Sequence, residues 1–363
     1  MSTYQIKLTP VNTFFFGGEK HSRSDKNTNG FEMDYFVKSD MYPQQTTLLG
    51  VLRYYLLMKN SLLNPQRIGK IEEANDLIGV GSFKYGFIKK EEKNGETKII
   101  TVQDYGKIQK ILPLYFLNDN QKYVIAPFDH EFELTEKYGN IEMAGYNAKN
   151  GYNLCLTNLN DNTNIKFFKD ENNPNDTNFV FIPYETVGNK KGDKGMSEDD
   201  GFYKQTMYKL NDGWSFAFEV EIDLKLEEEK QFVNVGAEKQ TFLFDISPID
   251  KLTNIALDKV EKLLPAIICI SDCFVSENIW KNVSFSMNES VSFRNLQSAN
   301  TSKNYSSFSK GYSRGKRYNL LKRGSILYFE TVEQLEKTKE FFVNKNAEKI
   351  GFNKIQTIQN QKK

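Results

Sequence analysis

Residues 43–57 read PQQTTLLGVLRYYLL, and the apolar positions Leu48, Val51, Leu52, Tyr55 and Leu56 recur at helical spacing. Pro43 disfavours helix for the residue before it and marks a boundary. Thr46 or Thr47 can cap a helix that begins there. The pattern predicts a buried helix over 44–60. Two residues depart from a plain core helix. Gly50 costs about 1 kcal/mol relative to alanine, which points to a close approach of something to the backbone. Arg53 is the only cation between Lys38 and Lys59. It reads either as a side chain snorkelling out of a buried helix or as a binding residue.

Either side of this helix the pattern changes. TYQIKLT at 3–9 alternates like an opening strand, and it leads into Phe14-Phe15-Phe16-Gly17-Gly18 and a polar loop that runs to residue 30. A hairpin is predicted at 83–102 around the turn Asn94-Gly95, and a strand pair near 111–116 and 123–128. Residues 135–200 are rich in Asn, Asp, Gly and Lys and predict an irregular insertion ending at a domain boundary. Beyond it come strands at 214–226 and near 233–246, a helix at 252–265, and strands at 266–275, 290–297 and 323–330. A loop at 298–317 and a charged helix at 332–350 complete the chain. Strands grouped with few helices, without strict alternation, indicate an α+β fold. A split βαβ half on each side of the break fits that order, as an N-terminal domain over 1–200 and a C-terminal one over 201–363.

The chain has 363 residues, 39% hydrophobic, enough for one large domain or two. No run approaches the roughly 20 apolar residues of a membrane-spanning helix, and the N-terminus lacks a signal-peptide pattern. Cys155, Cys269 and Cys273 form no disulfide framework. A soluble cytoplasmic protein without membrane contact is the expectation. The net charge of +1 conceals an uneven distribution. Between Met196 and Glu229 acids dominate, among them Glu198, Asp199, Asp200, Glu219 and the run Glu227-Glu228-Glu229. Between Ser290 and Phe329 stand Arg294, Lys303, Lys310, Arg314, Lys316, Arg317, Lys322 and Arg323, with no acid at all.

Known catalytic patterns are missing from the sequence. There is no Walker lysine followed by Ser or Thr, and no Gly-x-Ser-x-Gly elbow. Cys269 and Cys273 lie in a core strand without a nearby histidine and read as core thiols rather than metal ligands. Neither a metal nor a cofactor is expected. His21, beside Lys20 and Arg23, is the one candidate general base, because a metal-independent ribonuclease needs a base and cations around the phosphorane. In the 290–329 segment, cations alternate with Phe293, Tyr305, Phe308, Tyr312 and Tyr318. That is the composition of single-stranded nucleic-acid binding, in which cations track the backbone and aromatics stack on bases.

Three features taken together resemble a known family. They are a strand entering Phe14–Gly18, the helix start with Pro43, Thr46, Thr47, Gly50 and Arg53, and a basic loop ending in Gly324-Ser325 and a strand. A Gly236–Lys239 turn is similar to a glycine motif of the same group. The chain thus resembles the RAMP superfamily of CRISPR effector subunits, and within it the third subunit of type III-B (Cmr) complexes. The resemblance implies two ferredoxin-like (RRM-like) domains with long insertions and glycine-rich loops. It implies a non-catalytic RNA-binding subunit in antiviral defence. Such a subunit binds the 5′ tag of the guide RNA and docks the large polymerase-like subunit to the backbone subunits, meeting target RNA only indirectly. The RNA-facing residues it implies are Gly17, Gly18, Lys20, His21, Arg23, Thr46, Gly50, Arg53, Gly236, Lys239 and the eight cations of the basic segment. Two other readings stay open at this point. One is a guide-processing ribonuclease of the same superfamily using His21. The other is a protein-interaction module docking through the acidic 196–229 region.

Overall fold

The computed structural model describes all of residues 1–363 except 19, 25–32, 65–66, 69–70, 80–86, 94–95, 103, 138–139, 148, 192–196, 237–238, 299–311 and 360–363. Within strands and helices, the side chains at 20–24, 33–35, 64, 67–68, 71, 87–102, 137, 140, 189–191, 197–202, 277, 295–298 and 312–316 are likewise outside the description.

β1 (Ser2–Pro10) sits near the middle of a nine-stranded sheet, as its alternation predicts. Tyr4, Ile6 and Leu8 are buried, and Ile6 is in register with Phe218 on one side and Ile246 on the other. The flanking strands are Ser215–Ile222 and Gln240–Pro248, both antiparallel to β1. Beyond the first lies Tyr115–Asn118, and beyond the second Glu229–Val235 at the sheet edge. Tyr115–Asn118 therefore runs parallel to β1 with one strand between them. The helix α1 (Gln45–Lys59) lies in that connection and buries Leu48, Leu49, Val51, Leu52, Tyr55, Leu56 and Leu57. Tyr55 stacks on Phe244 of the sheet with ring centroids 4.7 Å apart. The helix is where the spacing predicts it, but its cap differs. Gln44 is the N-cap and makes no side-chain bond, while Thr46 and Thr47 lie inside the helix.

A second, four-stranded sheet has the order Phe285–Met287, Ile326–Tyr328, Ala266–Cys269, Ile355–Ile358, with every neighbour antiparallel. Its two central strands, Ala266–Cys269 and Ile326–Tyr328, are apolar on both faces because both are covered. Ala266 and Ile268 join the main core, whereas Ile267, Cys269, Leu327 and Phe329 pack with Leu335 and Phe342 in a second core. The helix carrying Leu335 (Val332–Lys339) starts at a capping box between Thr331 and Gln334.

Several expectations are corrected. The loop expected over 11–30 contains β2 (Lys20–Ser24), which pairs with β3 (Met33–Lys38) in a sheet with the long strands Phe181–Lys191 and Ser197–Leu210. The supposedly irregular 135–200 region holds strands at Asn140–Ala144, Cys155–Asn158 and Asn164–Lys166, pinned by pairing rather than by apolar runs. No helix forms at 252–265. There the Thr253 backbone N–H and hydroxyl donate to Glu219, and the Leu257 N–H donates to Gln356 Oε1. These anchors stretch the segment across the sheet, and Ile255 and Leu257 are buried at strand-like spacing. The basic loop resumes as a strand at Tyr312–Leu321 and forms a hairpin with Ser290–Ser298. The division at 200/201 cuts the strand Ser197–Leu210, and the strands that follow pair with β1. The first sheet ends at Pro248 and the second begins at Ala266.

Candidate nucleic-acid interface

Phe14, Phe15 and Phe16 are buried, and this turns the backbone of the Phe-Phe-Phe-Gly-Gly stretch into a fixed ledge. Phe14 exchanges both backbone hydrogen bonds with Tyr208, at 2.7 and 3.2 Å. Phe16 N–H donates to Ser39 Oγ at 2.8 Å, and Asp40 N–H donates to the Phe16 carbonyl at 3.0 Å. The turn at Gly236 closes against the same ledge. A Cβ on Gly236, whose φ is +82°, would lie 2.8 Å from the Phe15 carbonyl, and Gln240 Oε1 accepts from the Phe15 N–H at 3.3 Å. Lys239 is exposed at the end of that turn with φ +52°. Two stretches 220 residues apart thus meet, and β2 with Lys20, His21 and Arg23 continues directly from them.

The two glycines of the ledge have different tasks. Gly17 is exposed with nothing within 4 Å of a built Cβ. At Gly18 a Cβ would fall 2.2 Å from the Lys38 carbonyl, so this glycine serves the chain's own packing. On α1, Gly50 is exposed and also has open space above it. No other part of the described chain makes the close approach expected there.

Arg53 points the other way. Its Nε donates to the Ile78 carbonyl at 2.9 Å, at the end of the helix α2 (Ile71–Ile78), and its guanidinium lies 5.7 Å from the Tyr105 ring centre. Burial pushes its pKa below the ordinary arginine value. The expectation of an RNA-facing Arg53 gives way to that of a tie between two helices.

Arg323 is corrected more sharply. It is 1% exposed, and Nε and Nη2 reach the two oxygens of Asp272 at 3.3 and 3.1 Å. Burial works against its charge, but the Asp272 carboxylate holds its pKa above the ordinary arginine value. Lys322 is likewise engaged, 2.6 Å from Glu289. The acid-free stretch is thus neutralised at its base by Glu289, just before it, and by Asp272, further upstream, which linear reading of the segment misses. Arg294 and Arg317 are exposed on the hairpin. Arg314 and Lys316 lie on its second strand, with side chains outside the description, and Lys303 and Lys310 lie outside the described residues altogether.

Sequence reasoning missed Gln45. It is fully buried, accepts from Leu114 N–H at 2.9 Å, and donates to the carbonyls of Leu112 and Ile350 at 3.2 and 2.8 Å. One side chain therefore links α1 to the segment leading into Tyr115–Asn118 of the first sheet and to the one that precedes Ile355–Ile358 of the second. Its polar type at a buried first-turn position is the only signal the sequence carries. The acidic region is also divided, since Glu219 is fully buried and paired with Lys122 at 2.6 Å, while Asp223, Glu227 and Glu228 are exposed.

Fold and surface together define an α+β protein built mainly of antiparallel strands, with a glycine-bordered ledge at one place and a cation-bearing hairpin at another. The chain belongs to the Cas_Cmr3 family of CRISPR-associated proteins, whose model matches residues 6–360. No curated protein matches it. It is similar to a chain in the cryo-EM structure of the type III-B Cmr-beta bound to cognate target RNA, with TM-score 0.50, 12% identity, and coverage of 97% of this chain and 96% of that one. A chain in the same assembly with cognate target RNA and AMPPnP gives TM-score 0.48 and 12% identity, covering 97% and 95%.

Proposed function

We propose that this chain is a non-catalytic RNA-binding subunit of a type III-B CRISPR effector. It holds the 5′ tag of the guide RNA and joins the large polymerase-like subunit to the backbone subunits. Family membership supports the setting in a Cmr complex. The observation that carries the RNA reading is the meeting of the Phe14–Gly18 ledge with the Gly236–Lys239 turn. An open backbone at Gly17 and an exposed Lys239 stand where a phosphate backbone can approach closely, and the sequence of the adjoining β2 carries Lys20, His21 and Arg23.

The strand order supports two ferredoxin-like halves. In each, the first strand lies between the third and the last, and the second pairs with the third. Tyr115–Asn118, Ser215–Ile222, β1 and Gln240–Pro248 follow that order in the first half, with the edge strand Glu229–Val235 in place of the second helix. The four strands of the second sheet repeat it.

Fluorescence anisotropy of the full chain with labelled guide RNA, across a salt series, tests the reading. Salt-dependent binding without cleavage is expected. Lys239→Glu is expected to weaken it and to flatten the log–log salt slope by about 0.7, the share of one phosphate contact on a single strand. Cleavage of the RNA, or no salt-dependent binding alone or in the assembled complex, overturns it.

A further inference from the structure

In the hairpin Ser290–Ser298/Tyr312–Leu321, Arg294 stands directly opposite Arg317. Like charges facing each other across an antiparallel pair are destabilising, and such pairs are normally avoided. Among the described residues nothing relieves the repulsion. Both arginines are exposed, and neither meets a carboxylate among the described residues. The other two cations with described side chains in this stretch are neutralised, Lys322 by Glu289 and Arg323 by Asp272. Arg317 is also aimed, because its Nε donates to Ser292 Oγ at 2.7 Å. That bond leaves the terminal nitrogens of the guanidinium for another acceptor. The register shifts between Arg294 and Leu296, and a bulge at this point re-aims the strand. Phe293 and Tyr318, next to the two arginines, pair with each other on the opposite face of the hairpin, where both rings pack against Phe274 and hold the hairpin down.

We propose that Arg294 and Arg317 form a clamp for a phosphodiester group of single-stranded RNA. The inference rests on the RNA-binding reading and narrows it. The two opposed arginines act as one site, while Lys322 and Arg323 are excluded from it. A phosphate between two guanidiniums accepts charge-assisted hydrogen bonds from both and converts a repulsive pair into a bridged one. The site is therefore frustrated when empty and satisfied when filled.

The test uses the full chain with the double variant Arg294→Gln/Arg317→Gln and a labelled single-stranded RNA about 20 nucleotides long. Affinity is expected to fall about tenfold or more near physiological salt. The magnitude of the log–log salt slope should drop by about 0.7, the share of the one phosphate held between the two guanidiniums. The melting temperature of the free variant is expected to equal or exceed that of the wild type, because a repulsion has been removed. A lowered melting temperature, or unchanged affinity and slope in a wild type that does bind RNA, overturns the clamp alone. A wild type showing no salt-dependent binding overturns the underlying RNA reading and the clamp with it.

Discussion

The guanidinium of Arg323 lies 4.8 Å from the centre of the Tyr42 ring. Tyr42 immediately precedes the Pro43 boundary of α1, and Arg323 precedes Gly324 at the start of a strand in the second sheet. Two motifs 280 residues apart therefore meet over one buried ion pair. Burial, with the Asp272 carboxylate close by, raises the Tyr42 pKa above its ordinary value, so the phenol stays neutral in this contact. Arg323 holds the molecule together at this junction.

Arg323→Ala is accordingly expected to lower the stability of the free protein by about 3–5 kcal/mol, because it leaves the Asp272 carboxylate buried without its partner. Arg323→Lys recovers only part of this, since an ammonium cannot reproduce the two-pronged contact. Urea denaturation of the variants measures it. Unchanged stability together with lost RNA binding would return Arg323 to the surface role its basic neighbourhood suggests.

Two glycines should respond in opposite directions. Gly324 has φ +89°, and a Cβ there would lie 2.5 Å from the Phe128 ring and 2.9 Å from the Ala126 carbonyl. Gly324→Ala is expected to destabilise by more than about 1 kcal/mol. Gly50→Ala, in an open stretch of helix, should stabilise the isolated chain by up to about 1 kcal/mol. If the room above Gly50 is used by RNA or a partner subunit, the same variant assembles less well while melting higher. Thermal melts paired with reconstitution of the complex separate the two effects.

The base of the hairpin should weaken in acid. Burial alone would raise the Glu289 pKa, but hydrogen bonds from Lys322 and Tyr152 outweigh it and hold the value below the ordinary 4.5. A depressed carboxylate pKa contributes stability in full above 4.5, and the contribution is lost as pH falls through the lower folded value. The stability difference between wild type and Glu289→Gln should be constant near neutrality and shrink below about pH 4.5. Chemical denaturation between pH 3 and 7 reads this directly, and a difference that grows in acid would refute it.

What could be read from the chain followed the range of the forces involved. β1 and α1 were legible because period-two and helical spacing are local, and α1 lies within one residue of its predicted ends. The 252–265 segment was not legible. Its helical spacing is overridden by Glu219 and Gln356, which are distant in sequence and hold it extended. The site divided in the same way. Phe14–Gly18 and Gly236–Lys239 could each be picked out as glycine motifs, but their contact could not. The cation run was visible, yet the partners that remove Lys322 and Arg323 from it, Glu289 and Asp272, lie outside the run. Arg53 looked like an intruder on an apolar helix because Ile78 and Tyr105, which receive it, come later in the chain.

The most direct test of the RNA-binding account is photo-crosslinking in the assembled effector complex, with a photoreactive nucleotide placed in the 5′ tag of the guide RNA. Mass spectrometry of the crosslinked peptides is expected to place the tag on this chain at residues 14–24 or 236–240. Efficient tag crosslinks to other subunits with none to this chain would contradict the account.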